Sequence, residues 1–201
     1  MAEKELKIIL LGESGVGKSS IILRYYKNLF DPKLPSTFGS TFIIKKLEID
    51  NVTYKLNIWD TTGQEKYHSV TKLFVHGADI VILVYAINNI DSFQKLDYWL
   101  KTIKDNCDEN VIFAIVGNKI DIMLNSEEFN SVFVSDEEGE KFAKEKNIKF
   151  KLVSAKDDKN GIDSLFEELI TEYIEKEKNN DKKTDSKEES VRIDKNKIKK
   201  K

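Results

Sequence analysis

Residues 12–19 constrain the fold of this chain more than any other segment. They read Gly-Glu-Ser-Gly-Val-Gly-Lys-Ser and match the spacing G-x-x-x-x-G-K-[ST], between an apolar run that predicts a strand and a stretch that predicts a helix. The glycines let backbone N–H groups turn toward one point, and the helix N-terminus adds a partial positive charge there. The segment therefore predicts a phosphate-binding turn. The structural alternative is a glycine-rich turn that only joins a strand to a helix.

Two side chains of this turn have predicted chemical roles. Lys18 is expected to reach the β- and γ-phosphates of a nucleotide, and the Ser19 hydroxyl is expected to ligate Mg²⁺. The residues predicted to bind the phosphates are Ser14, Gly15, Val16, Gly17, Lys18, Ser19 and Ser20.

Apolar runs and helical periodicity alternate along the rest of the chain. Strands are predicted over residues 6–11, 41–50, 52–60, 79–87, 111–116 and 150–153, and helices over 19–29, 92–106, 135–146 and 162–174. Only the second and third strands are close enough in sequence to form an antiparallel hairpin. The pattern predicts an α/β fold in which a six-stranded, mostly parallel sheet with one antiparallel edge strand has helices on both faces. Ligands of such sheets bind at the carboxyl ends of the strands.

Composition limits what surrounds this domain. The 201 residues carry a net charge of −2, which argues against a nucleic-acid-binding surface, and there is one cysteine. The longest apolar run, residues 80–87, is too short to span a bilayer. Residues 175–201 contain eleven Lys and Arg and seven Asp and Glu but few apolar residues. We therefore expect a folded domain over 1–174 and a disordered charged tail over 175–201.

A second motif follows the third predicted strand. Asp60 ends that strand, where its carboxylate is expected to hold Mg²⁺ through a water. Gly63 allows its N–H to approach a γ-phosphate closely, and Gln64 is placed to orient an attacking water.

A third motif, residues 118–121, directly follows the fifth predicted strand. The Asp121 carboxylate suits the N1–H and exocyclic amine of guanine, and adenine lacks that pair of donors. Asn118 is expected to fix the loop, and the Lys119 stem to lie along the base. Residues after the last strand, Ser154, Ala155 and Lys156, are expected to close the pocket, with the Ala155 N–H facing the guanine oxygen.

With these motifs in this order, residues 6–174 resemble a Ras-superfamily small GTPase with a P-loop G domain, and most closely the Rab branch. The Rab-like segments include residues 38–42, 55–60 and 65–71. The resemblance implies a GTP/GDP switch that hydrolyses GTP with Mg²⁺. It further implies that Phe30 stacks on the guanine, that Thr37 binds Mg²⁺ and the γ-phosphate, and that Lys18, Thr37 and Gln64 serve catalysis.

The same resemblance implies how partners engage the chain. Segments 31–42 and 61–76 would be the two switches, ordered by the γ-phosphate and Mg²⁺ and read by an exchange factor, a GTPase-activating protein and effectors. Neither segment contains arginine, so we expect slow intrinsic hydrolysis. A monomer is expected, in the cytoplasm or at the cytosolic face of intracellular membranes.

Several positions depart from the family pattern. Thr62 stands where alanine is usual, and its hydroxyl is expected to slow hydrolysis or to accept a phosphoryl group unless it only packs in the loop. Ala86 and Phe74 replace the usual aspartate and tyrosine. The sequence ends on lysines without the cysteines that are prenylated in Rabs, which predicts weak or indirect membrane contact.

Two functions therefore remain open. One is a GTP-hydrolysing switch in vesicle and membrane traffic, which Gln64 favours. The alternative is a GTP-dependent binding or scaffold module without lipid and with slow or negligible hydrolysis, which Thr62 and the missing cysteines favour.

Overall fold

A computed structural model of the chain describes residues 3–37, 39–63, 74–104, 106–108, 110–125 and 133–198. Six strands form one sheet in the order β2-β3-β1-β4-β5-β6. Every neighbouring pair is parallel except the antiparallel β2–β3 hairpin, which confirms the predicted architecture. The strands are β1 (Glu3–Leu11), β2 (Ser40–Ile49), β3 (Val52–Thr61), β4 (Ile80–Ala86), β5 (Ile112–Asn118) and β6 (Lys149–Val153).

Helices cover both faces of the sheet. They are α1 (Lys18–Lys27), α2 (Ile90–Gln94), α3 (Leu96–Lys104), α4 (Asp121–Asn125), α5 (Asp136–Lys146) and α6 (Lys159–Ile198). The capping box that predicted α5 is present, because the Ser135 hydroxyl accepts from the Glu138 N–H and the Glu138 carboxylate accepts from the Ser135 N–H. The single helix expected over 92–106 is two helices that meet at Lys95, and α4 was not predicted.

The sheet separates two apolar cores. β4 is buried at all seven of its residues because it lies near the middle of the sheet with helices on both sides. One core packs α1 and α6 on the sheet and includes Leu10, Ile21, Tyr25, Ile58 and Phe166. The other packs α3 and α5 on the opposite face and includes Leu11, Tyr85, Trp99, Leu100 and Ile103. These cores leave the carboxyl ends of the strands for the loops that carry the motifs.

The last helix runs past the predicted end of the domain. The helix continues beyond residue 174 to Ile198. The division into a folded domain over 1–174 and a disordered charged tail over 175–201 stays a prediction. Polar contacts hold the first of these residues to the body: Lys176 Nζ donates to the Asn110 carbonyl at 3.1 Å, and Lys178 Nζ lies 2.9 Å from Asp50 Oδ2. Composition missed these contacts because they are made by charged side chains and not by apolar burial. Within the described ranges, no helix combines the length and the apolar character that crossing a bilayer requires.

Candidate functional site

The predicted site residues gather around one pocket of about 360 Å³ at the carboxyl ends of the strands, a volume in the usual range for small ligands. Those that line it are Ser14, Gly15, Gly17, Lys18, Ser19, Ser20, Phe30, Thr37, Gly63, Asn118, Lys119, Asp121, Ala155 and Lys156. Val16 and Ser154 are buried beside the pocket. Gln64 lies outside the described residues. Residues 31, 32 and 34–36, which the motifs did not single out individually, supply part of the wall.

The phosphate-binding turn approaches neighbouring groups so closely that glycine is required. Gly17 has a φ of +98°, and a Cβ on it would lie 2.3 Å from Asn118 Nδ2. Directly after it, α1 begins at Lys18. Because the first N–H groups of a helix have no partner within the helix, they are available to an anion at this end. The turn therefore has the backbone geometry of an anion cradle.

Lys18 is held at the floor of this cradle. Its side chain is buried, and Nζ donates to the carbonyls of Gly12 at 2.8 Å and Glu13 at 2.9 Å. Burial lowers the pKa of the Lys18 amine to about 8, against the opposing effect of the Asp60 and Glu13 carboxylates. The amine is thus fixed in direction by two main-chain oxygens, and it has three hydrogens to donate.

Three side-chain oxygens meet next to this amine. The Ser19 hydroxyl donates to Asp60 Oδ2 at 2.5 Å and lies 2.7 Å from the Thr37 hydroxyl, which in turn lies 3.3 Å from Asp60 Oδ2. Burial raises the pKa of Asp60, while hydrogen bonds from Ser19 and Thr37 and the Lys18 charge oppose the rise. Asp60 Oδ1 is buried without a hydrogen-bond partner among the described residues. Hydroxyl and carboxylate oxygens are the donors that Mg²⁺ prefers, so these residues fit that ion.

The opposite end of the pocket is built from the loops after β5 and β6. Asn118 joins three segments, because Nδ2 donates to the Val16 carbonyl at 2.9 Å and Oδ1 accepts the Ala155 N–H at 3.1 Å. The Ala155 N–H was predicted to face the guanine oxygen, whereas here it is engaged with Asn118 and fixes the loop. The Ser154 hydroxyl donates to Asp121 Oδ1 at 2.6 Å, which orients that carboxylate in the pocket.

One residue of this region was not predicted from sequence. Arg24 on α1 donates through Nε to the Ala155 carbonyl at 2.9 Å and through a second nitrogen to the Lys156 carbonyl. The guanidinium thereby ties α1 to the loop after β6. The only signal for it in the sequence is that Arg24 is the sole arginine in residues 1–174.

The segments after β1 and β3 also touch. A Cβ on Gly63 would lie 2.2 Å from the Glu13 carbonyl carbon and 2.3 Å from the Ser14 nitrogen. The neighbouring Thr62 N–H donates to the Gly39 carbonyl at 3.0 Å. Both predicted switch segments are therefore in contact, with each other or with the phosphate-binding turn.

The geometry defines a P-loop protein with a pocket for a nucleotide and a divalent cation. Comparison with known proteins is more specific: the model of the Ras family matches residues 7–175. Rab-18 of Caenorhabditis elegans is 43% identical over 171 residues, which are 85% of this chain and 80% of that protein. Rab-18-B of Danio rerio is 42% identical over 171 residues, 85% of this chain and 80% of that protein. GTP-binding protein ypt3 of Schizosaccharomyces pombe is 37% identical over 168 residues, 84% of this chain and 75% of that protein.

The chain therefore belongs to the Ras family and is a Rab-like small GTPase. It binds GTP, GDP and Mg²⁺ and hydrolyses GTP. The alternative of a scaffold module that does not hydrolyse GTP finds no support in these relatives.

Proposed function

We propose that this GTPase is a switch for vesicle and membrane traffic, and that the predicted residues hold its nucleotide. The observation that carries the proposal is the meeting of the Ser19, Thr37 and Asp60 oxygens beside the Lys18 amine. It joins the phosphate-binding turn to the first switch segment, through Thr37, and to the residue directly before the second segment, Asp60. A change at the γ-phosphate is then transmitted to both segments at once.

Positioning and electrostatics account for the chemistry of this site. Two main-chain carbonyls orient the Lys18 amine, which donates a hydrogen bond toward the β- and γ-phosphates. Ser19 and Thr37 hold Mg²⁺, with Asp60 behind them, and the ion when bound neutralises phosphate charge. The Gly63 N–H faces the γ-phosphate, and Gln64 orients the attacking water.

Intrinsic hydrolysis is slow in this proposal, because neither switch segment contains an arginine that could reach the phosphates. The sequence holds only two arginines, Arg24 and Arg192. Arg24 is engaged with the loop after β6, and Arg192 belongs to the last helix. An activating protein must then supply the missing positive charge.

Guanine recognition is assigned to Asp121, with Asn118, Lys119 and the residues 154–156 around it. The carboxylate accepts from the N1–H and the amine of guanine. The Ser154 hydroxyl orients Asp121, and the Arg24 guanidinium holds the Ala155 carbonyl. Phe30, which lines the same pocket, stacks on the base.

Regulators and effectors act through segments 31–42 and 61–76, which carry an aromatic surface. Phe42 is 53% exposed, and its ring centroid lies 5.0 Å from that of Trp59, which lies 5.7 Å from Phe74. Exposed aromatic clusters favour protein partners. In this proposal the chain acts as a monomer, in the cytoplasm or at the cytosolic face of intracellular membranes, and the Rab relatives support the role in traffic.

Nucleotide selectivity tests the assignment of the base pocket. Asp121→Asn is expected to weaken GTP at least a hundredfold (roughly, because buried groups are left unpaired) and to improve the binding of xanthosine triphosphate. Asp157→Asn is the matched control, because Asp157 lies in the loop after β6, next to the residues that close the base pocket, but does not line the pocket. Displacement titrations measure all three proteins. Equal binding of ATP and GTP by the parent chain would refute the proposal.

The metal assignment has its own test. Ser19→Asn is expected to weaken GTP more than GDP, because the γ-phosphate depends more on Mg²⁺. The same titrations, run with Mg²⁺ present, measure both nucleotides. An equal loss for both would contradict this role for Ser19.

A further inference from the structure

The second residue of the phosphate-binding turn, Glu13, has a carboxylate that nucleotide binding does not use. Its side chain is only 13% exposed, and both oxygens are occupied. Oε2 lies 2.9 Å from Lys95 Nζ, and Oε1 accepts a hydrogen bond from Trp99 Nε1 at 3.0 Å. A largely buried carboxylate is costly unless it is paired, so these two donors are what allow it to lie there.

Both donors come from a fixed part of the protein. Lys95 lies between α2 and α3, and Trp99 is one helical turn further on. The Trp99 ring is 1% exposed and belongs to the core that packs α3 against the sheet. The Glu13 side chain is therefore anchored to a rigid element that is more than eighty positions away in sequence.

The main chain of Glu13 touches the catalytic groups directly. Its carbonyl accepts a hydrogen bond from Lys18 Nζ at 2.9 Å. The same carbonyl carbon is the atom that a Cβ on Gly63 would approach to 2.2 Å. Any shift of the Glu13 peptide thus moves an acceptor of Lys18 and the surface on which Gly63 rests.

We propose that Glu13 is a positioning residue for the phosphates. Anchored by Lys95 and Trp99, it fixes the carbonyl that aims the Lys18 amine. This inference rests on the proposed role of Lys18 as a phosphate ligand. It requires that the loss of the anchor weakens the hold on the phosphates and leaves the recognition of the base unchanged, because neither anchor residue lines the base pocket.

The test uses the full chain loaded with GDP. Glu13→Gln removes the charge but keeps an oxygen for Trp99, and it is expected to raise the GDP dissociation rate about tenfold, the effect of weakening one charged hydrogen bond. Lys95→Met removes the amine that pairs with Glu13 from the more exposed of the two anchors, and is expected to raise the GDP dissociation rate about threefold. The ³¹P resonance of the bound β-phosphate shifts in both variants, which reports directly on the position of Lys18.

Two comparisons separate positioning from a general loosening of the fold. Asp97→Asn removes an ion pair from the same helix, between Asp97 and Lys146, and should leave the GDP dissociation rate and the ³¹P resonance unchanged. The ratio of inosine diphosphate to GDP dissociation rates should stay at the parent value in Glu13→Gln, since inosine lacks only the amine that the base pocket reads.

The outcomes distinguish this inference from the proposed function. A parent chain that does not retain GDP would overturn both. A parent chain that retains GDP, with both variants within twofold of its rate and with an unshifted ³¹P resonance, would overturn the positioning role alone. A change in the inosine-to-guanine ratio as large as the change in the rate itself would also overturn it.

Discussion

Gly63→Ala tests whether the segment after β3 must touch the phosphate-binding turn in the GTP-bound state. The added methyl would lie 2.2 Å from the Glu13 carbonyl carbon, 2.3 Å from the Ser14 nitrogen and 2.4 Å from the Glu13 oxygen. All three are main-chain atoms and cannot rotate away. Because carbon atoms in ordinary contact are about 3.5 Å apart, residue 63 has to retreat by roughly 1.3 Å.

That retreat has a selective cost. A hydrogen bond from the residue 63 N–H to a γ-phosphate oxygen does not survive a lengthening of about 1.3 Å. Hydrogen bonds to charged groups contribute about 1.5–3 kcal/mol, which corresponds to roughly a 10- to 150-fold loss of affinity. GDP has no γ-phosphate, so its affinity should stay at the parent value.

The measurement is the ratio of dissociation constants for GDP and a non-hydrolysable GTP analogue, with Mg²⁺ present. Gly77→Ala is the control, because Gly77 has a φ of +67° and a Cβ on it would meet no atom of the described residues within 4 Å. An alanine there strains the backbone and lowers the free energy of unfolding by about 1 kcal/mol without touching the site. A Gly63→Ala ratio within twofold of the parent would refute the reasoning.

Three further predictions follow from individual groups. Thr62→Ala should speed single-turnover GTP hydrolysis, up to about a hundredfold if the hydroxyl misplaces the water, with unchanged GDP affinity; rates within twofold, and no phosphate on Thr62 by mass spectrometry, would contradict this. Hydrogen bonds from Lys101 and Lys146 lower the pKa of Asp97 to about 2. The ionised Asp97 side chain therefore stabilises the fold above pH 4, by under about 1 kcal/mol at this half-exposed site, and this contribution is lost as the pH falls toward 2. Acid unfolding of Asp97→Asn should lack this part of the loss of stability. Removing Mg²⁺ with EDTA should lower the thermal midpoint of the GDP-loaded chain, since a ligand at 100 times its Kd adds about 2.7 kcal/mol; an unchanged midpoint would count against the metal site.

The sheet could be predicted because its signal is local. A strand buried on both faces reads as a continuous apolar run, and β4 shows this at all seven positions. The three motifs could be predicted for the same reason, because each lies within a few residues of the end of a strand. Their convergence then follows from the topology of a parallel sheet.

Contacts between segments that are distant in the chain could not be predicted from the sequence. Arg24 and Ala155 are 131 positions apart, and Glu13 and Trp99 are 86 positions apart. No periodicity links them, since each pair depends on how α1 or α3 docks on the sheet. The ion pair between Lys178 and Asp50 was missed for another reason: the prediction for residues 175–201 considered their apolar residues only, whereas this contact is made by two exposed charges.

The cost of the buried charges indicates what the site is built to bind. Asp60 is half-buried, with a raised pKa and a buried oxygen that lacks a partner among the described residues, and Lys18 is buried with a lowered pKa. Each group is destabilised by the protein alone, and each is relieved by an opposite charge at the same point: a cation for Asp60 and an anion for Lys18. Glu13 differs, because Lys95 and Trp99 already satisfy its carboxylate. The two charges that burial disfavours therefore mark the ligand contacts, whereas the paired Glu13 carboxylate marks the support that holds them.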